Sequence, residues 1–244
     1  CLARNRQPAA PDRRSLTVQG CTIGSVAAQV WPVVAAHWPG AGPLEVTLDL
    51  MAQDLRSRGL CGVWRDECLS VRNADGRMLG RVERGAVRVL GIATEAVHLV
   101  GLSPDGRVWL QQRALDKAND PGQWDTLMGG MVAHGETVED TLERETREEA
   151  GLSVRNLEGL RWGRPFLMTR STDDGGGLGQ LVETIHWCTA TVPMAMRPLN
   201  QDGEVAAFEC LPPQEVARRV LDGQCTDEAA LVLALALGWP LSLS

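Results

Sequence analysis

The chain has 244 residues, of which 44% are hydrophobic and 23% charged, enough to bury a core and unlike a disordered chain. Its formal charge of −7 speaks against a general nucleic-acid binder, because affinity for a phosphate backbone is carried by Lys and Arg. Seven cysteines, odd in number and without a CxxC pair, predict a reduced, cytoplasmic protein and not a disulfide framework or a zinc site. No apolar run has the length of a membrane span, so no membrane partner is expected.

The first 14 residues are polar and rich in Pro and Arg, and are expected to fray. Ser15–Cys21 reads as a strand, and Gly24–Trp38 has mixed helical spacing. After the breaker cluster Pro39-Gly40-Ala41-Gly42-Pro43, a helix is predicted from Val46 to Arg58, stopped by Gly59. Strands are predicted at Gly62–Arg72 and Arg77–Val82, then a helical piece at Glu83–Leu90. The pattern changes near residue 92. This sets the expected boundary between a small α+β N-terminal domain, residues 1–92, and a second domain, residues 93–244. In the second, Ala96–Leu102 and Arg107–Gln112 form a hairpin around Ser103-Pro104-Asp105-Gly106. A strand follows at Trp124–Val132. Thr137–Ala150 is the strongest helix, with Thr137 and Asp140 in capping-box positions and Gly151 as its stop. Strands are expected at Leu160–Thr169, Leu181–Val192 and Val205–Leu211, with a flexible loop at 172–177. Helices at Pro213–Leu221 and Asp227–Leu237 close the chain.

The chemistry concentrates in Gly130–Leu152. Glu145, Glu148 and Glu149 stand at i, i+3 and i+4, so they share one face of the helix. Like charges at these spacings repel, and a cluster of this kind calls for a neutralising cation. An oxygen-preferring divalent ion such as Mg²⁺ suits carboxylates, water and substrate phosphate. Leu142, Thr146 and Ala150 form a neighbouring stripe able to pack on a sheet, with Thr146 its polar exception.

Gly130, Glu136, Arg144, Glu145, Glu148, Glu149, Gly151 and Leu152 fall at the fixed positions of the Nudix box: G, five residues, E, seven residues, R-E-U-x-E-E-x-G-U. Only Thr146 departs, where an aliphatic is usual. The sequence therefore resembles the Nudix hydrolases over about residues 93–244. The resemblance implies an α/β/α sandwich around a mixed sheet, and hydrolysis of a diphosphate linked to an organic moiety with Mg²⁺ or Mn²⁺. It assigns Glu145, Glu148, Glu149 and the Gly130 carbonyl to the metal, and Arg144 and Glu136 to orienting the glutamates. Glu204, just before the strand Val205–Leu211, stands where these enzymes often place a further catalytic glutamate. Arg113 and Lys117 are candidates for binding phosphate.

A narrower resemblance rests on an ordered series: Gly62-Val63-Trp64-Arg65-Asp66-Glu67, Val82-Glu83-Arg84, Ala96-Val97-His98, Pro121-Gly122-Gln123-Trp124-Asp125 and Asn200-Gln201-Asp202-Gly203-Glu204. It is similar to the Nudix group related to thiamine pyrophosphokinase, which carries an extra N-terminal domain. That likeness implies thiamine diphosphate or an oxidised analogue as substrate, giving the monophosphate and phosphate. On a strand, Trp124 and Asp125 point to opposite faces. Asp125 is the one expected to face the ligand and Trp124 to join the core. The alternatives are a Nudix hydrolase of nucleoside diphosphate derivatives, and a non-catalytic Nudix-fold sensor. The intact box speaks against the sensor, and also against isopentenyl diphosphate isomerase, which shares the fold without the complete box.

Overall fold

The computed structural model describes residues 12–40, 42–73 and 75–240. Strands β1 (Arg13–Val18) and β2 (Cys21–Ala27) form an antiparallel hairpin, followed by helices α1 (Trp31–Ala35) and α2 (Leu44–Ser57) and a second hairpin of β3 (Cys68–Arg72) and β4 (Met78–Glu83). These elements share one core. Leu16, Ile23, Val34, Leu48, Met51, Leu55, Leu69, Val82 and Leu90 are buried in it, with Met131 and Leu178 packed on its edge. The period of α2 accounts for its part: Leu48, Met51, Ala52 and Leu55 recur at helical spacing and are buried, with Thr47 beside them.

Three expectations for this region are corrected. Arg13 and Arg14 do not fray but begin β1, and Arg13 donates to the Leu178 carbonyl at 2.8 Å; residues 1–11 of the expected frayed segment lie outside the described residues. The segment with mixed helical spacing is strand β2 up to Ala27, so its helix is confined to α1. The piece at Glu83–Leu90 has a 3-10 turn only, Arg84–Ala86, because a Cβ on Gly85 would come within 2.8 Å of the Val63 carbonyl and the chain must stay close there.

The remainder is built on an eight-stranded mixed sheet. Its path runs β10 (Phe166–Thr172), β11 (Gly179–Thr191), β5 (Thr94–Leu102), β6 (Val108–Arg113) and β12 (Val205–Leu211). The β11–β5 pairing is parallel and the others antiparallel. Strands β7 (Trp124–Asp125), β8 (Met128–Met131) and β9 (Glu158–Trp162) pair with β6, β5 and β11. Alternation along each strand divides the core in two. Ala96, Val100, Leu110 and Ile185 pack beneath helices α5 (Pro213–Leu221) and α6 (Asp227–Ala236). Val97, Leu99, Trp109 and Cys188 pack against helix α3 (Val138–Ala150) on the opposite face. The result is the expected α/β/α sandwich.

Two expected strands are split. Trp124–Val132 breaks into β7 and β8 because Thr126 and Asp125 satisfy the backbone locally. The Thr126 hydroxyl donates to the Met128 carbonyl at 2.7 Å, and its N–H donates to Asp125 Oδ1 at 2.8 Å. Leu160–Thr169 divides into β9 and β10 around Gly163 and Pro165. The loop expected at 172–177 contains a helical turn, α4 (Asp174–Gly177), in which Gly175 and Gly176 take positive φ.

Candidate active site

Helix α3 starts with a complete capping box: Thr137 accepts from the Asp140 N–H, and Asp140 accepts from the Thr137 N–H. It ends at Gly151, whose φ of 63° suits a left-handed cap. Thr141, Leu142, Thr146, Glu149 and Ala150 are the residues it buries, so Glu149 lies on the packed face and Glu145 and Glu148 beside it. The same helix end anchors the loop that carries Glu204. The Leu199 N–H donates to the Ala150 carbonyl at 2.8 Å and the Gln201 N–H to the Glu148 carbonyl at 3.2 Å. Asn200 Oδ1 then accepts from the N–H groups of Asp202 and Gly203, which turns the chain into β12.

Within the box the residues divide. Glu149 is buried, and its Oε2 accepts from Gln111 Nε2 at 2.9 Å and from the Gly129 N–H at 3.1 Å. Burial, with the nearby charge of Glu145 second, pushes its pKa up to about 8. Burial also raises the Glu145 carboxyl, against the opposing pull of Arg144. Gly130 lies against Glu145: a Cβ there would come within 2.5 Å of Glu145 Cγ. Arg144 organises the outer part. It donates through Nε and NH2 to both oxygens of Glu136, at 2.7 and 2.8 Å, and through NH1 to Glu145 at 2.8 Å and Glu148 at 3.1 Å. Thr141 donates to Glu136 at 2.7 Å, and Arg144 holds the Glu136 carboxyl below its ordinary value. Glu148 is half-exposed, and neither it nor Glu136 lines the cleft.

The cleft, of about 140 Å³ and open to solvent, brings Gly129, Gly130, Glu145 and Glu149 together with Arg113, Lys117, Asp125 and Glu204. Lys117 is in ion-pair contact with Glu204. Burial alone would raise the Glu204 carboxyl, but Lys117 turns the shift downward, with help from Arg84 and Arg65. Asp125 is buried on the cleft side of β7, while Trp124 packs in the core with the Arg219 guanidinium 4.1 Å from its ring centroid. Burial pushes the Asp125 carboxyl up, but His98, Arg113 and the Thr126 N–H outweigh it and leave it below the ordinary aspartate value. His98 Nδ1 lies 3.1 Å from the Thr126 hydroxyl and 3.5 Å from Asp125 Oδ1. That hydroxyl spends its one hydrogen on the Met128 carbonyl, so His98 Nδ1 must be the donor.

Several lining groups were not singled out from the sequence. Glu183 on β11 is buried and accepts from Thr94 at 2.8 Å; Glu228 on α6 pairs with Arg170 on β10 at 3.3 Å. A glutamate inside the apolar run Leu181–Ile185, at a position of inward alternation, was the available signal. Gln111 gave none, and Arg84 and Arg88 come from the N-terminal region. His134 lies away from the cleft, its Nδ1 3.2 Å from the Ser70 hydroxyl on β3.

The sequence profile of the NUDIX domain matches residues 93–229. The chain belongs to the Nudix hydrolase family. An uncharacterised Nudix hydrolase of Streptomyces coelicolor is 30% identical over 177 residues, which is 71% of this chain and 90% of that protein. Nudix hydrolase 24, chloroplastic, of Arabidopsis thaliana is 30% identical over 151 residues, 57% of this chain and 38% of that one. A crystal structure from Deinococcus radiodurans superposes with a TM-score of 0.55 at 23% identity, covering 69% of this chain and 99% of that one; this likeness shows the shared fold. As a Nudix hydrolase, the protein is a diphosphohydrolase acting on diphosphate-linked substrates.

Proposed function

We propose that the cleft hydrolyses the diphosphate of a small organic molecule with Mg²⁺ or Mn²⁺ held by Glu145, Glu148, Glu149 and the Gly130 carbonyl. The observation that carries this reading is the pair of neighbouring carboxylates, buried Glu149 and part-buried Glu145, both raised by burial, with Glu149 served by neutral donors and Glu145 by Arg144 with Arg84 nearby. Among the described residues no three metal-ligating side chains converge already. The donor set nevertheless fits a hard cation: carboxylate oxygens, a backbone carbonyl beside a missing Cβ, and two like charges left close together. A divalent ion there would neutralise the diphosphate charge and make water a stronger nucleophile.

The protein's own groups do the rest. Glu136 fixes Arg144, and Arg144 orients Glu145 and Glu148. Arg113 and Lys117 bind phosphate oxygens, and Glu204 or a box glutamate takes the proton of the attacking water. Thiamine diphosphate or an oxidised analogue is the favoured substrate, cleaved to the monophosphate and phosphate. The acidic cluster around His98 supports a cationic, amine-bearing ring. Asp125 is engaged by His98 and Arg113, and Glu228 by Arg170, whereas Glu183 has a hydroxyl donor and no ion pair within 4 Å among the described residues. Residues 1–92 are read as an accessory domain, and the free thiols of the six described cysteines suit the reducing cytoplasm.

A panel of thiamine diphosphate, its oxidised analogues, nucleoside diphosphates and ADP-ribose, incubated in ¹⁸O water and read by mass spectrometry, tests the substrate. Thiamine monophosphate and phosphate, with one label between them, is the expected result. Turnover confined to nucleotides would overturn the ring assignment.

A further inference from the structure

The N-terminal region does more than sit beside the Nudix fold. Arg84 and Arg88, from the 3-10 turn after β4 and the turns that follow, line the same cleft as Gly130, Glu145 and Glu149. Beyond them a second cavity of about 50 Å³ adjoins the cleft, with Arg84, Arg88, Asn119 and Met131 in both linings. Its remaining wall includes Arg65, Asp174 and the backbone around Gly62, Val63 and Gly85, and it holds no aromatic ring. The two arginines are held but not saturated. Arg84 NH1 donates to Glu67 at 2.7 Å, and Arg88 NH1 lies 3.5 Å from Asp174. In each case one guanidinium nitrogen is used among the described residues, and a planar fork with remaining N–H groups matches a phosphate.

We propose that Arg84 and Arg88 bind the terminal, singly linked phosphate of the substrate, so that the N-terminal region selects diphosphates with a free end over diphosphates substituted at both ends. The proposal rests on the diphosphohydrolase reading of the cleft. A free terminal phosphate carries more charge than an internal one, and it needs cations beyond those at the metal site. A cavity with three arginines and no stacking surface suits that phosphate better than a second nucleoside.

The test is calorimetric titration of the full chain with inorganic pyrophosphate in Mg²⁺ buffer, beside ADP-ribose, whose diphosphate has no free end. Arg84→Gln and Arg88→Gln should each weaken pyrophosphate at least tenfold and change ADP-ribose less than twofold. Glu67→Gln, which frees Arg84 from its anionic partner, should tighten pyrophosphate, a change that misfolding cannot mimic. No binding of pyrophosphate by the wild type, unchanged affinity in the arginine variants, or equal losses for both ligands would overturn the proposal. Glu149→Gln separates it from the reading beneath it: if that variant binds pyrophosphate in Mg²⁺ as the wild type does while the arginine variants fail, the metal assignment falls and the phosphate assignment stands.

Discussion

At the scale of single residues, the His98–Asp125 pair shows how burial and partners compete. Burial lowers the pKa of His98, but Asp125, Glu228 and Glu183 outweigh it and leave the imidazole above its ordinary value of 6.5. The sign of the coupling follows. The stabilisation carried by His98 is complete below pH 6.5 and fades as pH rises through the folded value. That carried by Asp125 is present above the ordinary value of 3.8 and is lost as pH falls through the lower folded value. Asp125→Asn should therefore drop the His98 pKa below 6.5, as read by NMR of its imidazole nitrogens. The same variant should lose about 3 kcal/mol of stability between these limits, with the deficit narrowing at higher pH. An unchanged imidazole titration would show that Asp125 does not charge His98. Glu149→Gln keeps the shape and the acceptor oxygen used by Gln111 and Gly129 while removing a buried carboxyl that burial keeps largely protonated up to about pH 8. In metal-free buffer above pH 8 its Tm should rise, and with metal its kcat should fall by more than about 100-fold, beyond the usual effect of a supporting residue. The placement of the box glutamates on one helix was legible in the sequence because fixed spacing on a helix sets direction. Glu183, Glu228 and Gln111 were not, because their convergence comes from strand register and from α6 packing across β5 and β11, contacts far apart in sequence.

At the scale of elements, α3 was the best-read part of the chain because its signals are local. The cap, the period and the stop lie within the helix itself, and all three appear in the structure. Its one irregular position is Thr146, fully buried, with a hydroxyl that has no hydrogen-bond partner among the described residues. Thr146→Val fills the same volume without the unpaired hydroxyl. It should stabilise the protein by about 1 kcal/mol, a rise in Tm of roughly 2–4 °C in thermal unfolding. A lower Tm would mean that the hydroxyl is satisfied. The strands were legible where an apolar run is bounded by turn residues, as in β5, which is buried along nearly its whole length, and not where side chains replace ladder bonds. Thr126 ends one pairing and starts another, and composition carries no mark of that. The N-terminal region was misread for a related reason: β2 has apolar residues at both strand and helix spacing, and its partner β1 decides between them.

At the scale of the whole molecule, two separate cores meet at one charged cleft. The core of the N-terminal region reaches the site through Arg84, Arg88 and the edge contact of Met131, while the sheet contributes its carboxylates from the other side. The cleft lining holds five cationic side chains, Arg84, Arg88, Arg113, Lys117 and Arg170, against seven anionic ones, Asp120, Asp125, Glu145, Glu149, Glu183, Glu204 and Glu228. Of the seven, Asp125, Glu149 and Glu183 are buried, and charging such neighbours together is costly alone and is relieved by a cation. Mg²⁺ should thus raise the Tm of the wild type, and the rise should be largely absent in a Glu145→Gln, Glu149→Gln double variant. The most direct test of the account is phosphate release from a diphosphate substrate by the full chain, followed through chelation with EDTA and metal add-back. EDTA should abolish turnover, Mg²⁺ or Mn²⁺ should restore it, and the double variant should stay inactive throughout. Full turnover in chelated buffer, or wild-type rates in the double variant, would contradict the account.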